Sequence, residues 1–428
     1  MEKEQQKEWI DLLYSELVPA LGCTEPIAIA YAAAKARQVL GEMPEHIDIR
    51  CSGNIIKNVK GVLVPNSGGM KGVGAAAVLG VVGGNADLGL EVLSCVTEEH
   101  IKETEKKLKE GYFSCQLQEN VANLYIVATA TAGEHTASVT IVNRHTTIAE
   151  MTKDGKKLYQ LSQYANAQKV QEKSAPWTLT VKGILDFADT ADLQQVIPLL
   201  DSQIEMNSAI SREGISHGYG AEVGRTLLSC YPEDVRVRAR AYAAAGSDAR
   251  MGGCSLPVVI NSGSGNQGMT VSVPVLEFAK EWSISEEKTY RALLVSNLTA
   301  IHLKHYIGSL SAFCGAVTAA CAAGAAITYM ADGGYARVCN TIINTLANVG
   351  GIVCDGAKAS CAAKIASALD AAFLGHQMSM LDRSFPGGDG IIQDDIEDTI
   401  KSIGYVGRVG MKETDLEILN IMMEQVQL

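Results

Sequence analysis

Residues 307–330 form an unbroken stretch of 24 residues without a charged side chain. Such a stretch is long enough to cross a bilayer as a helix. Its residues are mostly Ala, Gly, Ser and Cys rather than Leu, Ile and Phe, and no aromatic belt flanks it. A helix that is apolar on all sides normally lies in a protein core. The stretch therefore predicts a central, buried helix in a globular protein rather than a membrane span.

The composition is that of a globular protein with large cores and a small-molecule partner. The chain has 428 residues, of which 47% are hydrophobic, and its net charge is −12. Nucleic-acid partners are not expected, because binding them needs a basic surface that displaces counterions from phosphates. Residues 1–20 alternate charged and apolar side chains, which is typical of neither a secretory signal nor a transit peptide. We expect a cytoplasmic protein that binds neither nucleic acid nor membrane.

The pattern of the chain predicts an α+β fold in three parts. Residues 1–44 read as amphipathic and Ala-rich helices that pack on the C-terminal part. Residues 45–165 read as a small α/β domain, in which a strand at HIDIRCSG, a second at NVKGVLV and an antiparallel meander after residue 124 accompany short helices. Residues 166–428 read as a larger all-helical domain, joined through the polar segment 160–180. The C-terminal tail offers a contact for a homodimer.

Cys23 lies just before a predicted helix whose first turn contains Glu25 and Pro26 and whose cap is Thr24. The partial positive charge of a helix N-terminus favours a thiolate, so Cys23 is the cysteine whose context most favours reactivity. A small apolar residue in a tight turn is the structural alternative. The sequence around Cys23 leaves both interpretations open.

Two Gly-rich loops are candidates for binding an anion. The segment NSGGMKG at 66–72 allows backbone N–H groups to converge on a phosphate or carboxylate, although ordinary turn chemistry explains it as well. Residues 263–268 match the dinucleotide fingerprint G-x-G-x-x-G. The surrounding sequence lacks a crossover unit and a ribose-binding acid, so a loop that binds a small carboxylate is favoured, with a purely structural loop as the alternative.

Metal or thiolate chemistry is the main question that eleven cysteines raise, because an odd number cannot all pair within one chain and a reducing compartment disfavours disulfides. Five of them lie between His302 and Lys364. Cys314, Cys354 and Cys361 follow the spacing Cys-x39-Cys-x6-Cys, which is neither a ferredoxin run nor a pair of zinc knuckles. By spacing alone they are equally well small core residues. We assign the remaining two, Cys321 and Cys339, to packing.

Five segments together resemble a known family. They are GCTEP at 22–26, NSGGMKG at 66–72, SGSGNQG at 262–268, SNLTAIHLKHYIGSLSAFCGA at 296–316 and CDGAKASCAAK at 354–364. This combination is similar to the L-cysteine desulfidase family, an otherwise uncharacterised bacterial family related to the alpha part of iron–sulfur L-serine dehydratases. The resemblance runs over almost the whole chain and implies conversion of L-cysteine and water to pyruvate, ammonia and hydrogen sulfide without pyridoxal phosphate.

The resemblance also implies a cofactor and its ligands. A [4Fe–4S] cluster would be held in the helical domain by Cys314, Cys354 and Cys361, and Cys23 would act in catalysis. Three cysteines for four irons leave one iron open as a Lewis acid for the leaving sulfur. A Cys23 thiolate is then a candidate for the base that removes the α-proton.

Further residues are candidates for holding an amino-acid substrate at the interface between the domains. They are Asn66, Ser67, Gly68, Ser262, Ser264, Asn266, Gln267, His302 and Lys304, with His217 as an additional candidate. A structural role is the alternative for each histidine and for Lys304. At the level of function, L-serine dehydration by the same elimination and a non-enzymatic iron–sulfur redox sensor remain open, as does a protein without a cluster.

Overall fold

The protein is described here by a computed structural model that covers residues 3–162, 177–308 and 310–423. Most of the connecting segment predicted at 160–180 lies outside the described residues. The chain begins with α1 (Lys3–Glu16), a short strand β1 (Pro19–Leu21) and α2 (Thr24–Leu40). The α2 helix starts one residue before the predicted position, so that Cys23 rather than Thr24 occupies the N-cap.

A six-stranded sheet forms the N-terminal α/β part. Its strands are β2 (His46–Cys51), β3 (Phe113–Leu117), β4 (Tyr125–Ala132), β5 (His135–Val142), β6 (Ile148–Lys153) and β7 (Lys156–Gln160). Their order in the sheet is β3-β2-β4-β5-β6-β7, and the β2–β3 pair is parallel while the others are antiparallel. Every second residue of β4 is buried, because one face of the sheet is covered. The predicted meander is confirmed and extended by one strand.

Helices α2 and α4 (Gly72–Gly83) cover the sheet, and α3 (Gly53–Val59) and α5 (Glu98–Lys109) complete this part. The α2 and α4 backbones come so close that a Cβ at Gly80 would lie 2.3 Å from the carbonyl oxygen of Ala30. Helix α1 contacts the helical part, where the ring centroids of Trp9 and Phe187 lie 5.5 Å apart. Helix α2 packs on the sheet instead.

The strand predicted at NVKGVLV is wrong. Asn58 and Val59 end helix α3, and Leu63 forms only an isolated bridge with Lys71. The intervening segment turns at residues 60–61 before the Gly-rich loop, so it has no strand neighbour with which to form a ladder.

The remaining chain forms the helical part and one short strand, β8 (Pro257–Val259). Its helices are α6 (Val181–Thr190), α7 (Ile197–Ser216), α8 (Val223–Cys230), α9 (Val235–Met251), α10 (Gly265–Glu281), α11 (Glu286–Ile307), α12 (Gly315–Met330), α13 (Gly334–Val349), α14 (Ser360–Met380), α15 (Ile396–Tyr405) and α16 (Lys412–Met422). Helix α12 is buried from Ala316 to Met330 among α10, α11, α13 and α14, as predicted, but it begins at Gly315 rather than at residue 307, because residues 310–314 form a non-helical connection from α11. The α+β fold class is confirmed.

None of the helices in the described ranges is both long and apolar enough to cross a membrane. The two parts of the molecule are joined by β1, which pairs antiparallel with β8 through Ala20 and Val258. This pairing brings the start of α2 to the start of α10. The boundaries at residues 44/45 and 165/166 stay a prediction.

Candidate active site

A cavity of about 480 Å³ lies where the α/β part meets the helical part. Its walls are mainly the ends of elements: the starts of α2, α10, α12 and α14, the ends of α9 and α11, and the β5–β6 loop. Four cysteines line it, namely Cys23, Cys314, Cys354 and Cys361. Helix N-termini carry partial positive charge, so the cavity suits anionic groups.

Cys314 and Cys354 are brought together by a short backbone bridge. Phe313 and Val353 pair antiparallel, the Cys314 N–H donates to the Ile352 carbonyl at 2.9 Å, and the Cys354 N–H donates to the Ala312 carbonyl at 2.6 Å. This bridge explains how residues separated by 39 positions become neighbours. A hydrogen bond between the thiols raises the pKa of Cys314 and lowers that of Cys354, and the charges of Lys57 and Lys304 add to the lowering at Cys354.

Cys361 enters the cavity from the first turn of α14. The loop before it turns at Gly356, which has a φ of +97°. A Cβ at this position would lie 2.5 Å from the backbone oxygen of Lys57 in α3. Glycine is therefore required both for the left-handed backbone and for the close approach of the loop to the α/β part.

Cys23 is held by Glu25. The Cys23 thiol donates to Glu25 Oε2 at 2.9 Å, and the Thr24 hydroxyl lies 3.2 Å from the same oxygen and 2.9 Å from the Gly263 carbonyl. Glu25 Oε1 accepts from Asn58 Nδ2 at 3.4 Å. The GCTEP segment thus places a thiol and a carboxylate side by side at the start of α2.

The predicted thiolate character of Cys23 is wrong in this structure. Burial first, and then the charge of Glu25, raise the pKa of the Cys23 thiol well above its ordinary value. Burial also raises the pKa of Glu25, but the nearby His145 side chain and the Cys23 S–H outweigh it and lower that pKa to about 2. His145 Nε2 lies 3.9 Å from Glu25 Oε1, which is beyond hydrogen-bond distance. Burial, together with the adjacent carboxylate, outweighs the stabilisation that a helix N-terminus gives a thiolate.

Lys304 lines the cavity without a counter-ion among the described residues. Burial lowers its pKa, while the neighbouring Cys354 and Cys314 act in the opposite direction. Arg250, at 2% exposure, also lines the cavity. Its terminal nitrogens donate to the Gly22 carbonyl and, at 2.6 Å, to Asn266 Oδ1. Both cations lie close to the thiols and can stabilise negative charge there.

The loop before α10 contains four polar residues that were predicted to bind a substrate. All four line the cavity: Ser262, Ser264, Asn266 and Gln267. Ser264 caps α10 by accepting from the Gln267 N–H at 3.5 Å, and Ser262 donates to Asn261 Oδ1 at 2.8 Å. The loop also contains the G-x-G-x-x-G fingerprint. Strand β8, which precedes it, pairs among the described strands only with β1 and is antiparallel to it. The described residues around the fingerprint therefore do not form the βαβ unit that binds dinucleotides.

Other predicted residues lie away from the cavity. Asn66 Nδ2 donates to the Leu93 carbonyl at 3.0 Å, Ser67 Oγ donates to the Met70 carbonyl at 3.1 Å, and Gly68 packs near Ile101 with a φ of +70°. These contacts are those of an ordinary turn at NSGGMKG. His217 is exposed and lies 3.0 Å from Glu213 of its own helix. The cavity lining includes none of these four predicted residues.

His302 supports the cavity wall instead of facing it. Its Nδ1 accepts from Trp177 Nε1 at 2.8 Å, so the ring proton is on Nε2, which lies 2.7 Å from Glu397 Oε2. Trp177 in turn stacks on His305 with ring centroids 3.8 Å apart, and both line the cavity. His302 therefore positions Trp177 and is absent from the cavity lining, and its predicted role in substrate binding stays a prediction.

Sequence reasoning missed five cavity residues: Glu25, His145, Arg250, Trp177 and His305. Glu25 had a signal, since it belongs to the GCTEP segment beside Cys23. The other four come from elements far apart in the chain, and only the packing of the two parts brings them together.

The family model for the serine dehydratase alpha chain matches residues 87–420. The chain belongs to the serine dehydratase alpha chain family. The matched region contains Cys314, Cys354 and Cys361, while Cys23 and Glu25 precede it.

Relatives in this family match almost the whole chain. A UPF0597 protein of Lachnoclostridium phytofermentans is 51% identical over 418 residues, which is 97% of this chain and 99% of the relative. UPF0597 proteins of Treponema denticola and Finegoldia magna are 49% and 50% identical, over 99% and 98% of this chain and 99% and 100% of the relatives.

The cysteines of this serine dehydratase alpha chain family member fit an iron–sulfur group. In the described ranges, no three His, Cys, Asp or Glu side chains converge closely enough for a single metal ion. A cluster, however, distributes its cysteine ligands over different irons, so they stand further apart than ligands of one ion. Cys314, Cys354 and Cys361 line one cavity from two helix starts and a loop, and Lys304, which has no counter-ion among the described residues, lies beside them. The donor set and the local charge therefore suit an anionic, thiolate-bound group.

Proposed function

We propose that this protein is an iron–sulfur-dependent lyase that converts L-cysteine and water to pyruvate, ammonia and hydrogen sulfide. The observation that carries the proposal is the meeting of Cys23 with Cys314, Cys354 and Cys361 in one cavity. Membership of the serine dehydratase alpha chain family supports a lyase that eliminates the β-substituent of a small amino acid. The choice of L-cysteine rests on the resemblance of the motifs, including GCTEP around Cys23.

Cys314, Cys354 and Cys361 would hold a [4Fe–4S] cluster. When bound, this group supplies an iron with an open coordination position that acts as a Lewis acid toward the leaving sulfur. Lys304 and Arg250 provide positive charge near these cysteines and stabilise negative charge on thiolates and on the leaving sulfide.

Cys23 is the proposed base for the α-proton. In the resting arrangement its sulfur carries a proton and donates to Glu25 Oε2 at 2.9 Å. The Cys23 sulfur can accept the α-proton only after it has lost its own, so the base role requires that substrate or cofactor binding lower the pKa of this thiol. The charge of Arg250 favours the thiolate and partly offsets the effects of burial and Glu25. Removal of the α-proton and loss of sulfide leave aminoacrylate, which tautomerises and hydrolyses to pyruvate and ammonia.

L-Serine is the second candidate substrate, because the matching family model is described as a serine dehydratase alpha chain. The same elimination would expel hydroxide rather than sulfide. A thiol is the better leaving group, since its conjugate base is the weaker one. The cavity residues do not distinguish the two β-substituents by themselves.

Anaerobically purified protein with measured iron and acid-labile sulfide should be offered both amino acids. We expect pyruvate and sulfide from L-cysteine, with a higher kcat/KM than for pyruvate from L-serine. A higher kcat/KM for L-serine would overturn the cysteine assignment and leave the lyase assignment in place. If iron-loaded protein releases pyruvate from neither amino acid, the enzyme proposal fails, and a redox sensor should still respond spectroscopically to oxidant.

A further inference from the structure

Three buried polar atoms in the cavity wall have no hydrogen-bond partner within the described part of the chain. They are His145 Nε2, Arg250 Nε and Gln267 Oε1. Their side chains are each more than nine-tenths buried. Buried polar groups in proteins are almost always paired, so unpaired ones that share a cavity indicate a ligand with both donors and acceptors.

The donor groups of the cavity suit a carboxylate. Arg250 uses its terminal nitrogens on Gly22 and Asn266, which leaves its Nε–H as the unpaired donor. Lys304 adds a cation without a counter-ion among the described residues. In the described ranges neither cation forms an ion pair with a protein carboxylate, so both can bind a carboxylate that a ligand supplies.

The acceptor groups suit an ammonium. Glu25 is a carboxylate in the wall of the cavity, and its hydrogen bonds come from neutral donors on Cys23, Thr24 and Asn58. The nearest basic side chain to Glu25 in the described ranges is His145, whose Nε2 lies 3.9 Å from Glu25 Oε1. Gln267 Oε1 is a second acceptor without a donor. An ammonium group in the cavity would therefore find two oxygen acceptors, one of them a carboxylate.

We infer that the cavity holds its amino acid by both charged ends, with Glu25 and Gln267 accepting from the α-ammonium and Arg250 and Lys304 binding the α-carboxylate. This assignment rests on the proposed function and deepens it, because it restricts the substrate to free, zwitterionic α-amino acids. Thiols that lack either charge, and N-acylated amino acids, are excluded as substrates.

The test uses three ligands that have no β leaving group, so binding is measured without turnover. L-Alanine carries both charges, propionate lacks the ammonium, and L-alaninamide lacks the carboxylate. Equilibrium binding to iron-loaded protein is measured by calorimetry, with competition against L-alanine for the weak ligands. Iron content and circular dichroism establish that each variant is folded and loaded.

Glu25→Gln should weaken binding of L-alanine and L-alaninamide by at least about tenfold and leave propionate unchanged, because only the ammonium contact is lost. Lys304→Met should weaken the binding of L-alanine and of propionate and leave the binding of L-alaninamide unchanged. The matched control is Glu16→Gln. Glu16 also lines the cavity, but its charge is paired with Arg144 at 2.8 Å, so L-alanine binding should not change.

The inference would be overturned if a folded Glu25→Gln protein lost the same amount of affinity for all three ligands, or if its binding of L-alanine were unchanged. Absence of L-alanine binding to the wild-type protein would do the same. Turnover of L-cysteine by the same preparations separates this result from the proposed function. If the selective binding pattern is found but no pyruvate forms, only the lyase proposal is contradicted. If pyruvate forms but the binding pattern is absent, only the two-ended binding is contradicted.

Discussion

At the scale of single residues, the cysteines between His302 and Lys364 differ in what their thiols contact. Cys314, Cys354 and Cys361 line the cavity. Cys321 is fully buried in α12, and its thiol points to the Ile342 carbonyl at 3.8 Å. Burial raises the pKa of Cys321 far above its ordinary value, as it does for a thiol in an apolar core. The environment supports assigning Cys321 to packing and the first three to a cofactor.

The ligand assignment predicts a selective loss of iron. In Cys354→Ser, iron and acid-labile sulfide after anaerobic purification should fall to less than about half of the wild-type values, because one of three thiolate ligands is lost. Cys321→Ser is the matched control, since it makes the same chemical change at a buried cysteine outside the cavity and should keep its iron. Full iron in a folded Cys354→Ser protein would contradict the ligand set.

At the scale of elements, the helices around α12 are joined by a buried polar cluster. Thr328 of α12 lies 2.7 Å from Thr341 of α13 and 2.9 Å from His376 of α14, both measured from its hydroxyl oxygen. The Thr341 hydroxyl also lies 2.6 Å from that of Ser379. Small side chains and hydroxyls at these positions let the helices approach closely. The cluster makes the packing of three helices depend on the protonation of one histidine.

Burial lowers the pKa of His376 from 6.5 to about 4. The unfolded chain therefore binds a proton at higher pH than the folded chain, so the histidine destabilises the fold as pH falls from about 6.5 toward about 4. The cost at the lower limit is about 3 kcal/mol. Urea unfolding of the wild type should show this loss, and His376→Asn should lose less stability over the same pH range. An identical pH slope in both proteins would contradict the prediction.

At the scale of the whole molecule, the C-terminal end of the chain packs against the α/β part. Lys57 of α3 is 2% exposed and pairs with Asp415 of α16. The same α3 helix supports the Gly356 loop that precedes Cys361. The Lys57–Asp415 ion pair thus joins the two ends of the sequence close to the proposed cofactor ligands. Homodimer formation stays a prediction.

This buried ion pair predicts a large asymmetry between single and double variants. Asp415→Asn should reduce the free energy of unfolding by about 3 kcal/mol, because it leaves the Lys57 ammonium buried without its counter-ion. The double variant Lys57→Met and Asp415→Leu should recover most of that loss, since neither charge is then buried. Denaturant titration of the three proteins measures both values. A single variant within about 0.5 kcal/mol of wild type would show that Lys57 finds another partner or water.

The sequence by itself determined the features that depend on local patterns. The apolar stretch at 307–330 predicted the buried α12, alternation predicted the meander, and Thr24-Glu25-Pro26 predicted the start of α2 to within one residue. These signals survive in the fold because the periodicity that produces them is also what buries one face of each element. The segment at NVKGVLV contains strand-forming residues, but it does not form a strand because it has no neighbouring strand to pair with among the described residues.

Only the tertiary structure decided which of these residues share a cavity and what charge they carry there. The cavity wall includes Glu25 and Arg250 but neither Asn66 nor His302. The Phe313–Val353 bridge brings Cys314 and Cys354 next to each other. A helix N-terminus predicted a Cys23 thiolate, yet burial beside Glu25 keeps the proton on sulfur. The reason is that desolvation and charge interactions depend on distances between residues far apart in the chain, which local sequence patterns do not contain.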